Sequence, residues 1–267
     1  MASPGEPHPT AAAFERLYEE HPEYAARRVQ GSFEQQQVDI EVQAFKLPQL
    51  LARWPADAPR SVIEIGCATG ELIAAWPVTA GGRRLGLDLS PRNVEAARRR
   101  FPAVEFGSSD FRTDPPDGPF DLVLLSDVLE HVEDDAAFLR DAAALGARVL
   151  VNLPLECNWL NARRRYGVDD VSGHLRRYTL AQGLELFARA GLSVPGWHRA
   201  WLHETAAEPA RRALRQRHLG RAFAGGPFGA AARAAVHAAA CAWPWFGRRL
   251  FPSNLFVLAS AADAGHR

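Results

Sequence analysis

The sequence predicts an α/β protein: a seven-stranded, mostly parallel sheet with helices on both faces. Short, largely apolar runs recur at Ser61–Ile65, Arg84–Leu87, Val104–Phe106, Phe120–Leu125 and Arg148–Asn152, and they read as buried strands. Helical patterns fill the gaps between them, at Glu71–Trp76, Pro91–Arg100 and Asp134–Leu145. Strands alternating with helices make crossover units, and these build parallel sheets covered on both sides.

Each element has a local reason. Residues 1–10 are proline-rich and read as a tail. Ala11–Trp54 is helical in pattern, with Phe14, Leu17, Tyr18, Tyr24, Val38, Ile40, Val42, Phe45 and Leu50 as apolar contacts. Ser90 followed by Pro91 matches a serine cap with proline at the first helical position. Thr179 caps a helix running to Ala190, which leads into a strand at Leu192–Trp201; Asn254–Ala259 is the final strand. The intervening Leu202–Leu250 is too long for a plain loop. Its Arg-rich and Ala-rich pieces, separated by Gly225-Gly226-Pro227, predict two or three inserted helices. The expected organisation is therefore a tail and helical segment (1–54), a core (55–201), a helical insertion (202–250) and a last core strand with its tail (251–267).

Composition narrows the class. With 267 residues, 47% of them hydrophobic, the chain can bury one sizeable core and a small accessory element. The start, MASPGEPHPT, has neither the basic residues nor the apolar run of a signal peptide, and no stretch is apolar enough to predict a membrane span. Three scattered cysteines (Cys67, Cys157, Cys241) point to a reducing, cytoplasmic setting without a disulfide framework. Net charge is zero, so nucleic acid is not the expected partner. Charge is divided, however. Residues 1–150 hold 15 Lys+Arg against 24 Asp+Glu, and the remainder holds 16 against 7. A local basic region could attract an anionic small molecule; two complementary halves of one domain explain the pattern more simply.

The chemistry concentrates where strands end. Glu64-Ile65-Gly66-Cys67-Ala68-Thr69-Gly70 closes the first strand with glycines four apart and an acid two before the first. Such a turn lets backbone approach a ligand closely at a helix start, and the acid suits a ligand with an ammonium end. A nicotinamide dinucleotide would want G-x-G-x-x-G instead. Asp88 ends the second strand, Asp110-Phe111 follows the third, and the fourth, with Asp121 within it, runs on into Ser126-Asp127-Val-Leu-Glu130-His131.

In order and spacing these four segments resemble the motifs of class I, Rossmann-like S-adenosylmethionine-dependent methyltransferases, small-molecule type, with Ala68 in place of the usual middle glycine. The resemblance implies that Glu64, Gly66, Cys67, Ala68 and Gly70 form the cofactor turn. It places Asp88, with Leu89 beside it, on the ribose hydroxyls, and Asp110 and Phe111 by the adenine. Ser126 and Asp127 would lie under the methionine end, whereas Asp121 reads as structural. The implied reaction is in-line transfer of a methyl group to an O, N, S or C atom of a small molecule, of the kind met in natural-product metabolism.

The acceptor should face the segments after the fifth strand and before Thr179, because ligands lie beyond the carboxyl ends of parallel strands. Candidate substrate residues are Asn152, Glu156, Asn158, Arg176 and Tyr178, and candidate catalytic residues are His174 and His131. Either histidine could serve as general base or simply pin its loop. No metal is expected, since a sulfonium loses its charge as the methyl leaves and no His/Cys spacing suggests a ligand set. The insertion, with Trp243, Trp245 and Phe246, could roof the acceptor pocket, form a homodimer contact or touch lipid, and the first suits its position best. Two other classes remain open: another enzyme of this fold, such as a nicotinamide oxidoreductase, and a non-catalytic cofactor-binding subunit.

Overall fold

Buried apolar runs form the strands β1 (Ser61–Ile65), β2 (Arg83–Leu87), β3 (Glu105–Gly107), β4 (Phe120–Ser126), β5 (Gly146–Leu155), β6 (Leu192–Trp201) and β7 (Ser253–Ala261). The computed structural model describes residues 19, 21–55, 57–167, 172–223 and 226–261. Phe14, Leu17, Tyr18, Gly225 and both chain ends lie outside these. The strands form one sheet in the order β3-β2-β1-β4-β5-β7-β6. β1 to β5 pair in parallel, and β7 runs antiparallel between β5 and β6. Strand order reverses between β1 and β4, and that reversal opens a crevice at the carboxyl edge of the sheet.

Neighbouring strands decide lengths that local pattern leaves open. β5 runs on to Leu155, beyond the predicted Asn152, because β7 pairs with it through Leu155↔Ser253. β6 lies at the edge and breaks register between Ser193 and Gly196, around Pro195, which cannot donate to a ladder.

The helices start as local chemistry predicts. α4 (Glu71–Ala75) follows the β1 turn, and α5 (Pro91–Arg100) is capped by Ser90 Oγ, which accepts the Asn93 N–H at 3.1 Å. α6 (Asp135–Ala143) is capped by Asp134, and α7 (Leu180–Arg189) opens with a reciprocal Thr179–Gln182 capping box. Before them come α1 (Pro22–Arg27), α2 (Phe33–Glu41), a π-helical turn (Val42–Lys46) and α3 (Leu47–Leu51). The insertion contains a 3₁₀ turn (Leu202–Glu204) and three helices, α8 (Ala207–Phe223), α9 (Gly226–Ala242) and α10 (Pro244–Leu250). No helix among the described residues is long and apolar enough to cross a membrane.

Alternation along the strands feeds two cores. Ile63, Ile65, Val123, Leu125 and Val151 face one side and pack with Phe138, Leu139, Leu186 and Phe187. Val62, Leu122, Leu124 and Leu150 face the other and pack with Phe45, Leu50, Ile73 and Trp76. Phe45 and Leu50 belong to the segment preceding β1, so that segment is part of the core rather than an appendage.

Asp121 ties the far edge of the two central strands together. Its Oδ2 accepts the backbone N–H groups of Arg60 (2.7 Å) and Ser61 (3.0 Å), as the structural reading of this residue requires. Asp121→Ala should lower unfolding free energy by about 1–3 kcal/mol, measured by denaturant titration, because two backbone donors lose a charged acceptor.

Candidate active site

The turn after β1 is shaped by backbone that side chains would obstruct. Gly66 and Gly70 have φ of +75° and +86°. A Cβ on Gly66 would lie 2.7 Å from Val128 Cγ2, and one on Gly70 would lie 2.7 Å from Phe106 Cζ. Ala68 also sits in the left-handed region, at φ +47°, a conformation that costs an alanine roughly 1–2 kcal/mol. What holds it there is Asp88, whose Oδ2 accepts the Ala68 N–H at 2.8 Å. The N–H groups of Gly66 and Cys67 both donate to Leu87 O, at 2.7 and 2.9 Å, so the β1 turn and the end of β2 form one unit.

Asp88 Oδ1 accepts the Ser90 N–H (2.9 Å) and Asn93 Nδ2 (3.2 Å). Burial pushes its carboxyl up while these donors pull it down. Three of its roughly four lone-pair positions are taken, which leaves Oδ2 able to accept from a ligand. Glu64 is buried, with Oε2 accepting the Ile73 N–H at 2.9 Å. Burial raises its carboxyl to about 8. Among the described residues neither Glu64 nor Asp88 is ion-paired by the chain. Cys67 packs under Gly86, and burial with nearby carboxylates pushes its thiol well up, so it is a packing residue rather than a nucleophile.

Leu89 is exposed beside Asp88. Asp110 is held by Arg112, with Oδ2 2.7 Å from Nη2 and Oδ1 3.0 Å from Nε. Phe111, expected at the adenine, is instead buried edge-on against Phe138, with ring centroids 5.2 Å apart.

At the end of β4, Asp127 takes φ +56° and is fastened from three directions. Lys46 Nζ lies 2.5 Å from its Oδ2, Asn152 Nδ2 donates to its Oδ1 at 3.1 Å, and its N–H donates to Asn152 O. Lys46 also pairs with Glu41 at 3.1 Å, and Glu41 with Arg211 of α8 at 3.2 Å. Burial alone would lower the Lys46 pKa, but these two carboxylates raise it, so the ammonium is firmly charged. Asn152 is committed within this network, since it also donates to Ser126 Oγ (3.0 Å) and accepts from Asn254 (2.8 Å). Lys46 was missed by the motif reading. Its sequence signal is that it is the sole lysine, and the π-helical turn that aims it is a tertiary feature.

The acceptor-side candidates divide. His174 Nδ1 lies 2.6 Å from Glu156 Oε2, whose other oxygen is 2.6 Å from Arg164. His131 Nδ1 lies 3.0 Å from Gly173 O, and the two imidazoles meet edge to face at 4.7 Å. Both Nε2 atoms face Glu130 Oε1, at 3.7 and 3.9 Å. Glu130 is buried, its carboxyl pushed well above the usual range by burial and then by Asp127 and Glu156. Spacing gave no hint of this convergence, because the fold must first bring together residues from two separate loops.

Arg176 and Tyr178, expected at the acceptor, are instead committed to the start of α6. Arg176 pairs with Asp135 at 3.1 Å, and the buried Tyr178 hydroxyl lies 2.9 Å from Asp135 Oδ2 and 3.1 Å from Leu129 O. Asn158 accepts the Asn161 N–H through Oδ1, while its buried Nδ2 has no partner. Trp159 and Leu160 donate backbone N–H groups to Arg249 and Leu250 at the end of α10, so the loop after β5 is stitched to the insertion.

Comparison with known proteins agrees with this arrangement. Residues 37–195 match the model of the methyltransferase domain family, more than half of the chain, and the chain belongs to that family. Solved structures of similar fold include mycolic acid cyclopropane synthase CmaA1 complexed with S-adenosylhomocysteine, at a TM-score of 0.54 and 15% identity over 80% of this chain and 83% of that one. A trans-aconitate 2-methyltransferase of Azoarcus is 29% identical over 61% of this chain and 62% of its own length. One of Methylobacterium nodulans is 38% identical over 39% of this chain and 42% of its own, so the matched stretch spans less than two thirds of either relative. A putative methyltransferase from Haloferax volcanii, solved with its Trm112 activator, superposes with a TM-score of 0.60 at 21% identity, covering 94% of this chain and 100% of that one. Magnesium protoporphyrin IX methyltransferase of Synechocystis superposes at 0.54 with 13% identity, over 96% and 99%. At such identities the superpositions establish the fold.

The raised Glu64 carboxyl makes stability pH-dependent with a definite sign. Between its ordinary value of 4.5 and about 8 the folded chain holds a proton that the unfolded chain has lost. Its contribution is fully present below the ordinary value and disappears as pH rises through the folded one. Glu64→Gln, which cannot ionise, should therefore flatten the decline in unfolding free energy across that window, measured by denaturant titration at successive pH values.

Proposed function

We propose that this chain is an S-adenosylmethionine-dependent methyltransferase acting on a small molecule. The observation that carries the reading is the β1 turn bonded through Ala68 to Asp88 at the carboxyl edge of the sheet. Next to it, behind Val128, stands the Glu130–His131–Glu156–His174 cluster. One site can hold the donor and the other the acceptor.

The residues fit the donor. Glycines at positive φ let the turn close onto Val128 and Phe106, Asp88 retains an open acceptor position for a ribose hydroxyl, and buried Glu64 lacks, among the described residues, a cation that an amino-acid ammonium would supply. When bound, S-adenosylmethionine supplies an electrophilic sulfonium methyl. The chain's task is then to align an acceptor atom with it, since holding reactants in register gives very large effective molarities. His174, with its Nδ1 proton directed to Glu156, presents Nε2 toward the cluster, where it can orient an acceptor group or take its proton.

A small acceptor is supported by relatives named for trans-aconitate and norajmaline methylation. The backbone bonds joining Trp159 and Leu160 to α10 support the insertion as a cap over the acceptor.

The test pairs binding with turnover. Calorimetry should show S-adenosylhomocysteine binding, and Asp88→Ala should weaken it roughly ten- to hundredfold, as loss of charged hydrogen bonds worth about 1.5–3 kcal/mol implies. Across a panel of small acceptors, His174→Ala should cut transfer at least about tenfold while leaving that affinity nearly unchanged. No heat with either cofactor form would refute the reading.

A further inference from the structure

We infer that Glu130, His131 and His174 form a divalent-cation site that holds the methyl acceptor through its oxygen atoms. The inference deepens the methyltransferase reading and rests on it for the acceptor, although the cation site itself does not.

The ligand atoms are already assembled. One carboxylate oxygen and two imidazole nitrogens lie within 4.8 Å of one another, with both Nε2 atoms under 4 Å from Glu130 Oε1. Donors each about 2.0–2.2 Å from a common cation sit roughly 3–3.5 Å apart, so side-chain shifts of less than about an ångström complete the geometry.

Tautomers point the same way. The partners of the two Nδ1 atoms are oxygens, Gly173 O and Glu156 Oε2, so each Nδ1 carries the proton and each Nε2 offers a lone pair to Glu130. A carbonyl or carboxylate behind the ring is the arrangement that fixes metal-binding histidines. Here one ring has each kind.

The carboxylate supplies an independent observation. Glu130 is 1% exposed, and both of its oxygens lack a hydrogen-bond partner. Acceptors face acceptors at 3.7 and 3.9 Å, too far for a shared proton to make a hydrogen bond. An isolated buried carboxylate is costly, yet the nearby cations are committed, Lys46 to Asp127 and Glu41 and Arg164 to Glu156. A cation from outside the chain would satisfy this carboxylate, with the Nε2 lone pairs of both imidazoles already directed to the same place. The loops are also fixed in place, as Leu175 N–H donates to Glu130 O at 2.9 Å and Gly167 N–H to His174 O at 2.9 Å.

Two nitrogens and one oxygen select manganese, iron(II), cobalt or zinc over calcium or magnesium, which prefer oxygen-only shells. Three protein ligands leave positions open, and these suit an acceptor with two neighbouring oxygens, such as a hydroxyl beside a carbonyl, carboxylate or second hydroxyl. A cation makes a bound hydroxyl more acidic. Its proton leaves to solvent, its oxygen bonds to the methyl carbon, and the carbon–sulfur bond breaks with the electron pair going to sulfur. On this reading the two histidines hold the cation rather than take the proton themselves.

The test uses the full chain, stripped with chelator and dialysed, and titrated with cobalt(II) chloride while the visible ligand-field bands are followed. One equivalent should bind. Glu130→Gln, His131→Ala and His174→Ala should each weaken binding at least tenfold, and unchanged S-adenosylhomocysteine affinity would show that the variants are folded. Should a variant fail to fold, proton spectra of the wild-type cobalt complex decide instead: two hyperfine-shifted, exchangeable imidazole N–H signals are expected, and fewer than two overturns the ligand set. Absence of cobalt binding, or binding by all three variants as tight as that of the wild type, also overturns it. Cobalt failing to bind while S-adenosylhomocysteine still binds removes the cation site alone. Cobalt binding without S-adenosylhomocysteine binding keeps the cation site and removes the methyltransferase reading.

Discussion

Lys46 is the positive centre on which the carboxyl edge of the sheet depends. Asp127 turns the chain out of β4 in a left-handed conformation that non-glycine residues adopt only at a cost, and the half-buried ammonium against its carboxylate helps to hold it there. The same ammonium pairs with Glu41, which Arg211 of the insertion also reaches. On the other side Asp127 is bonded to Asn152, and Asn152 to Asn254. One chain of polar contacts thus runs from the inserted helices, through the segment before β1, to the middle of the sheet. Removing one partner of the half-buried Lys46–Asp127 pair would leave the other charge uncompensated.

The donor side depends on a different mutual constraint. Ala68 needs Asp88 to remain in a conformation that a glycine would adopt freely, and Asp88 uses the Ala68 N–H to keep its carboxylate at the turn. The alanine in this motif is therefore accommodated by the acid one strand away. The space left by Gly66 is closed from beneath by Val128, two residues before Glu130. The β1 turn thus meets, at Val128, the segment that carries Glu130.

Charge is distributed unevenly between the two sides. Asp127 and Glu156 have cationic partners in Lys46 and Arg164, whereas among the described residues Glu64 and Glu130 are buried without a lysine or arginine partner. Both of these carboxyls are raised mainly by burial. The cofactor's amino end and the divalent cation proposed above would each bring a positive charge to one of these places.

Fold class, strand positions, helix caps and the donor motif were legible locally, because each rests on contacts within a few residues. Ser90 caps α5, Thr179 caps α7 and Gly66–Gly70 turns the chain through backbone preferences that the residues carry themselves. The acceptor side was not legible in that way. Arg176 and Tyr178 looked like ligand contacts but found Asp135, and His131 and His174 looked independent but met over Glu130. Lys46 carried no motif, and a π-helical turn aimed it at Asp127. Hydrogen bonding and ion pairing over 40 to 80 residues of separation are decided only when the sheet brings its carboxyl ends together, since no local periodicity encodes which side chain will stand opposite which.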